Sequence, residues 1–183
     1  MRIVGGEFSS RKIITSAGKQ TRPTLDKVRE AVFSSLGGMF EGGDFLDLYA
    51  GSGAVGLEAL SRGCDFAVFA DVSKDALQAV KENIHSLKVE DRTKVYPMKD
   101  MKVLNLLAKE EKKFDFVYLD PPYALQHNND VLAFLNDHHM LKTGGKVIIE
   151  SLKEETYNMD FTCLHPFKEK IYGISKVTYY RAD

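Results

Sequence analysis

The stretch Asp47-Leu48-Tyr49-Ala50-Gly51-Ser52-Gly53-Ala54-Val55-Gly56-Leu57-Glu58 carries an apolar strand into a glycine-rich turn and then into a helix. Glycines at 51, 53 and 56 leave no Cβ in the way, so the turn can pass close to a ligand. The first helical N–H groups then point at that ligand. Gly-x-Gly-x-x-Gly alone is a weak signal, but its place between strand and helix marks a nucleotide-type cofactor site. The competing explanation is a tight turn whose small residues serve packing.

Outward from this stretch the chain alternates. Strands are expected at residues 45–49, 66–70, 94–98, 114–119 and 146–149, and helices at 55–60, 73–87 (capped by Ser73), 101–109 and 129–138. Near-continuous apolar strands in a βαβ rhythm predict a parallel sheet covered on both faces. A helix from Thr24 to about residue 36 precedes them, ended by Gly37-Gly38, after a polar loop at 16–23. Two short strands around Gly5-Gly6 predict an N-terminal β-hairpin extension over residues 1–20, with one main domain over 21–183. Residues 163–172 and 174–181 have no helix between them and predict a closing antiparallel hairpin. The fold class is therefore α/β and Rossmann-like: a mostly parallel seven-stranded sheet with helices on both faces.

Asp47 discriminates between cofactors. A dinucleotide fold brings the same glycines to a pyrophosphate, beside which a carboxylate is awkward. It suits the cationic amino group of a methionine moiety, which favours S-adenosylmethionine over NAD. Tyr49, Ala50, Gly51, Ser52, Gly53 and Gly56 complete that end of the site. Asp71, with Val72 after it, closes the second strand twenty residues beyond Gly51 and can accept from ribose hydroxyls. Asp100, with Met101, follows the third strand and can receive an adenine amine. Asp71 and Asp100 would also serve as helix caps.

The second informative stretch is Phe114-Asp-Phe-Val-Tyr-Leu-Asp120-Pro121-Pro122-Tyr123. Two prolines fix φ and remove two N–H donors, leaving a stiff, acceptor-rich loop. In a doubly wound sheet it lies at the carboxyl edge, where ligands bind. A base amine is a poor nucleophile because its lone pair is delocalised into the ring. Asp120 and the Pro121 carbonyl can accept its two N–H bonds and stabilise the charge that develops during attack, while Tyr123 can stack on the base. A rigid strand-ending turn is the plainer explanation of the same four residues.

Across 183 residues, 44% are hydrophobic and 28% charged, which fits a soluble globular chain with one good core. No apolar run reaches bilayer length and no signal peptide is expected, so a cytoplasmic chain is the expectation. Cys64 and Cys163 lack metal spacing and read as packing residues. Net charge is −1, yet residues 1–30 hold seven Lys and Arg against three Asp and Glu. That basic start on an acidic body could meet phosphates. The five histidines form no ligand-spaced set, and no metal is expected.

With both motifs placed, the sequence resembles the RsmD family of bacterial 16S rRNA (guanine-N2)-methyltransferases, nearly end to end. The resemblance rests on Arg2-Ile-Val-Gly-Gly6, Arg11-Lys-Ile13, the string Arg22-Pro-Thr24-x-Asp26-x-Val-Arg29-Glu30-Ala-x-Phe33, residues 50–63 and residues 120–123. It implies methyl transfer from S-adenosylmethionine to a guanine N2 in small-subunit rRNA. Asp47 and residues 51–56 would hold the cofactor's methionine end, and Asp120, Pro121, Pro122 and Tyr123 would form the transfer site. Arg22 and Thr24 would border cofactor and base, with Arg2, Arg11, Lys12 and Arg29 also toward RNA. Asp71 stands where the family usually has Glu, and Ser10 where it has Gly. Asn83 and Glu150 match family positions and read as structural. The expected partner is rRNA, in a partly assembled subunit, and the chain is expected to act as a monomer. A DNA adenine-N6 methyltransferase, an NAD(P)-dependent oxidoreductase and a non-catalytic RNA-binding protein are the alternatives.

Overall fold

Seven strands form one sheet: β1 (Asp44–Asp47), β2 (Phe66–Ala70), β3 (Thr93–Tyr96), β4 (Phe114–Leu119), β5 (Leu141–Leu152), β6 (Leu164–Tyr172) and β7 (Ser175–Ala182). Five helices accompany them: α1 (Pro23–Ser35), α2 (Ala54–Ser61), α3 (Lys74–Leu87), α4 (Asp100–Lys109) and α5 (Asn128–Asp137). The structure is a computed structural model that describes residues 1–15, 23–123, 127–158 and 160–183.

The strand order is β3-β2-β1-β4-β5-β7-β6. Strands β1 to β5 pair in parallel, and β7 enters antiparallel between β5 and β6. A dinucleotide fold places its sixth strand directly beside the fifth; here the closing hairpin folds back so that its second arm takes that place. The order reverses between β1 and β4, which makes their carboxyl ends the natural ligand crevice.

The sheet separates two apolar cores. One holds Val28, Val32 and Phe33 of α1, Leu57 and Leu60 of α2, and Val80 and Ile84 of α3 against Phe45, Phe69 and Tyr179. The other holds Leu104 of α4 and Leu132 of α5 against Leu46, Val117 and Ile149. The central strands β1, β2 and β4 are buried almost throughout, as a parallel sheet covered on both faces demands. No helix among the described residues is long and apolar enough to cross a membrane.

The expected N-terminal hairpin is not built from two strands. Residues 1–15 pair back on themselves around one antiparallel bridge, Arg2 to Lys12, with Ile3 N–H donating to the Arg11 carbonyl (3.0 Å) and Ile13 N–H to the Met1 carbonyl (2.9 Å), while other N–H groups of the arm donate to side chains of the main domain. Glu58 accepts from the N–H groups of Val4 (2.9 Å) and Gly5 (2.8 Å), and the Ser61 hydroxyl accepts from that of Phe8 (2.9 Å). Ser10 turns the arm at φ 69°. A left-handed backbone favours glycine, so the glycine expected at this position would have a plain steric reason.

Candidate active site at the carboxyl edge of the sheet

Four strand ends bring the predicted residues to one edge. Asp47 ends β1 and lies opposite Tyr118 of β4, so Tyr49 and Asp120, two residues further on, leave the sheet as neighbours at the switch point. Asp71 follows β2, and Asp100 opens α4 after β3.

Asp47 is buried at 2% exposure, and its Oδ2 accepts the Gly56 N–H at 3.0 Å. Gly56 lies in the first turn of α2, so the carboxylate satisfies a helix N–H that has no intrahelical acceptor and favours the positive end of the helix. Gly53 enters the helix at φ 81°. A Cβ at Gly53 would come within 2.5 Å of Val80, and one at Gly56 within 2.4 Å of the Phe69 ring. Packing therefore explains two of the three motif glycines, and the turn still presents its backbone at the crevice. Gly56→Ala is expected to cost about 1–3 kcal/mol through overpacking, read as a lower urea midpoint at unchanged m-value. A midpoint equal to that of the parent would refute the close approach to Phe69.

Asp71 holds the turn from the other side. Its Oδ2 accepts from Gly51 N–H at 2.8 Å and its Oδ1 from Ser73 N–H at 2.9 Å. Each carboxylate oxygen keeps one further acceptor position, so two hydroxyls can still be received. Ser73 caps α3 through the Ala76 N–H. Val72 beside it is 62% exposed. Asp100 takes three donors: the Tyr49 hydroxyl (2.6 Å) and His127 Nε2 (2.5 Å) on Oδ2, and the Met101 N–H (2.6 Å) on Oδ1. Burial pushes this carboxyl up, but the Tyr49, His127 and Met101 bonds outweigh it and hold the group below its usual range. Burial, and then Asp100 itself, push the Tyr49 phenol far above its ordinary value. Both groups therefore keep fixed roles at neutral pH, acceptor and donor.

Asp120 is exposed at the end of β4, Pro121 is buried behind it, and Tyr123 is 54% exposed. Two residues back along β4, the Tyr118 hydroxyl donates to Glu150 Oε2 at 2.6 Å. Burial first, then the charges of Glu150, Asp120 and Asp47, raise the Tyr118 phenol well above its ordinary value. Three carboxylates thus act on one buried phenol, and with Asp71 and Asp100 they give this edge a strongly negative field.

The predicted RNA-facing residues divide. Arg2, Arg11 and Lys12 are exposed on the N-terminal arm, with one Arg11 nitrogen bonded to the Ser86 carbonyl at 2.9 Å. Arg22 and the polar loop at 16–22 lie outside the described residues, and Thr24 belongs to α1. Arg29 is a correction. Its side chain is 6% exposed and lies 3.3 Å from the fully buried Glu58, with Asp26 at 3.1 Å and the Arg2 carbonyl completing its surroundings. A buried cation in such a cage stays with its counter-charges, so Arg29 holds the arm and two helices together and does not face RNA.

A family model described as conserved hypothetical protein 95 matches residues 1–181. The chain belongs to that family. Among members and relatives of conserved hypothetical protein 95, "Putative rRNA methyltransferase YlbH" of Bacillus subtilis is 36% identical over 181 residues, covering 99% of this chain and 98% of that protein. Ribosomal RNA small subunit methyltransferase D of Escherichia coli K12 is 30% identical over 151 residues, 82% of this chain and 74% of that one. The solved structure of "Putative methyltransferase yhhF" from Escherichia coli superposes with a TM-score of 0.86 at 26% identity, covering 100% of this chain and 98% of that one. The resemblance to the RsmD family and the class I methyltransferase fold with its closing hairpin are thereby established for this chain.

Two features of this family member escaped the sequence reading. His127 joins the Asp100 cluster, although a lone histidine before a helix carries no local signal. Glu58 anchors the arm, Arg29 and Arg62, and a glutamate inside an apolar helix pattern gives only the hint that it is out of place. Cys64 is a buried free thiol, pushed up to about 12 by burial and by Asp115, Asp65 and Asp44, which fits a packing residue.

Proposed function

We propose that the chain transfers a methyl group from S-adenosylmethionine to the exocyclic N2 of a guanine in small-subunit rRNA. The observation that carries this reading is the meeting of an acidic cofactor crevice with the Asp120-Pro121-Pro122-Tyr123 loop at one switch point. A crevice lined by Asp47, Asp71 and Asp100, with Glu150 close by, suits a cationic cofactor and repels a pyrophosphate. When bound, S-adenosylmethionine supplies an electrophilic methyl group on a sulfonium.

The residues of the chain do the rest. Asp47 and the turn at 51–56 would receive the methionine end, Asp71 the ribose hydroxyls, and the free position of Asp100 Oδ1 the adenine amine. Asp120 and the Pro121 carbonyl accept the two N–H bonds of the target amine, bonds that strengthen as the nitrogen becomes cationic. Tyr123, exposed and carried on a stiff loop, stacks on a base that has been turned out of its helix. The amine held by Asp120 and the Pro121 carbonyl would take up the methyl group and would lose its extra proton afterwards. Arg2, Arg11 and Lys12 supply phosphate contacts from the arm. The relatives named as rRNA methyltransferases support rRNA over DNA as the substrate.

Labelled S-adenosylmethionine and small subunits from cells lacking this protein provide the test. Nuclease digestion is expected to return the label in N2-methylguanine. Absence of label in rRNA, or label in adenine-N6 of DNA, would overturn the reading.

A further inference from the structure

Asn83 joins two parts of the molecule that the proposed reaction uses separately. It sits on α3, 2% exposed, with its carboxamide fully engaged. Oδ1 accepts from the Ile14 N–H at 2.8 Å, and Nδ2 donates to the Ile14 carbonyl at 2.9 Å. The second Nδ2 hydrogen goes to the Ser52 carbonyl at 2.9 Å. Ile14 thus pairs with a side chain as it would with a neighbouring strand, and the same planar group grips the middle of the glycine turn.

An amide is rigid, and both its donors and one acceptor position are spent here. The Ser52 carbonyl cannot shift without moving Nδ2 away from the Ile14 carbonyl. Ile14 is the last but one residue before residues 16–22, which carry Lys19 and Arg22. We infer that Asn83 is a positioning residue that couples occupancy of the glycine turn to order in the segment leading into residues 16–22. In this way a bound cofactor prepares the RNA-facing arm. The inference rests on the cofactor assignment proposed above and adds to it a mechanical link between the two substrates. Linkage requires the effect to be mutual: whatever the cofactor does for the arm, an ordered arm does for the cofactor.

Amide hydrogen exchange tests it, with S-adenosylhomocysteine as the probe. In the wild-type chain, saturating S-adenosylhomocysteine is expected to slow exchange at residues 13–15 about tenfold, within the usual range of coupling between sites. In Asn83→Ala, and in Asn83→Asp, which keeps the acceptor for Ile14 N–H but loses both donors, the slowing is expected to fall below twofold while S-adenosylhomocysteine still binds by calorimetry. A merely structural role would raise exchange equally with and without the probe, leaving the ratio unchanged, and that result overturns the inference. So does binding to the wild type without any slowing, which needs no variant to fold. Failure of the wild type to bind at all would sink the cofactor assignment and this inference with it.

Discussion

Replacing Asp120 by alanine is expected to lower kcat for methyl transfer about 10²–10³-fold, the usual effect of removing one charge-stabilising partner in an active site. The side chain is exposed at the end of β4, so the variant should fold normally and bind S-adenosylhomocysteine with unchanged affinity. Its contribution is made in the transition state, when the amine nitrogen turns cationic, and kcat and kcat/KM should fall together. Asp120→Asn keeps one acceptor oxygen and replaces the other by a donor that opposes the amine N–H, so it should recover little. Single-turnover transfer to small subunits measures both. Full activity in Asp120→Ala would remove the loop from the chemistry, whatever its position at the crevice.

The largest expected loss of stability belongs to Glu58. It is 0% exposed, receives Val4 and Gly5 N–H and Arg62 Nε at 2.9 Å, and forms an ion pair with Arg29 Nε at 3.3 Å. Glu58→Ala would leave Arg62 buried without a counter-charge and Arg29 with the half-exposed Asp26 alone, at a cost of about 3–5 kcal/mol. A chain of this length loses roughly 2–4 °C of Tm per kcal/mol, so thermal melting should start many degrees lower. Glu58→Gln keeps the shape but turns an amide NH2 toward donors, and should rescue little. The combined Arg29→Met, Glu58→Leu and Arg62→Met change removes all three charges and should recover part of the loss, as hydrophobic replacement of a buried ionic triad often does. A Tm within a degree or two of wild type for Glu58→Ala would show the network to be neutral.

Much of the architecture was legible because it is local. Predicted bounds for β2 and β4 coincide with the observed Phe66–Ala70 and Phe114–Leu119, since each is a continuous apolar run between polar stops. Ser73 caps α3 as its chemistry suggested. Strand β5 is longer than the expected 146–149, reaching from Leu141 to Leu152, because Thr143-Gly144-Gly145 looks like a turn while Leu141 pairs with Phe114. The order of β6 and β7 in the sheet lies beyond any periodicity; only the hairpin itself could be read. The crevice residues Asp71, Asp100 and Asp120 were visible as carboxylates placed after strands, and Asp47 as one just inside a strand. What stayed hidden is non-local: Arg29 sits in a helix like any surface charge, and its burial follows from Glu58, 29 residues away, and from an arm that packs over both.

That arm, residues 1–15, has a consequence for how the molecule is made. Its backbone partners Glu58, Ser61 and Asn83 lie 53 to 69 positions further along the chain. Residues 1–15 leave the ribosome before α2 and α3 and therefore have nowhere to dock until those helices have been synthesised and packed, and contacts so distant form slowly. A bulky fusion ahead of Met1 would burden this late step more than the early collapse of the central strands.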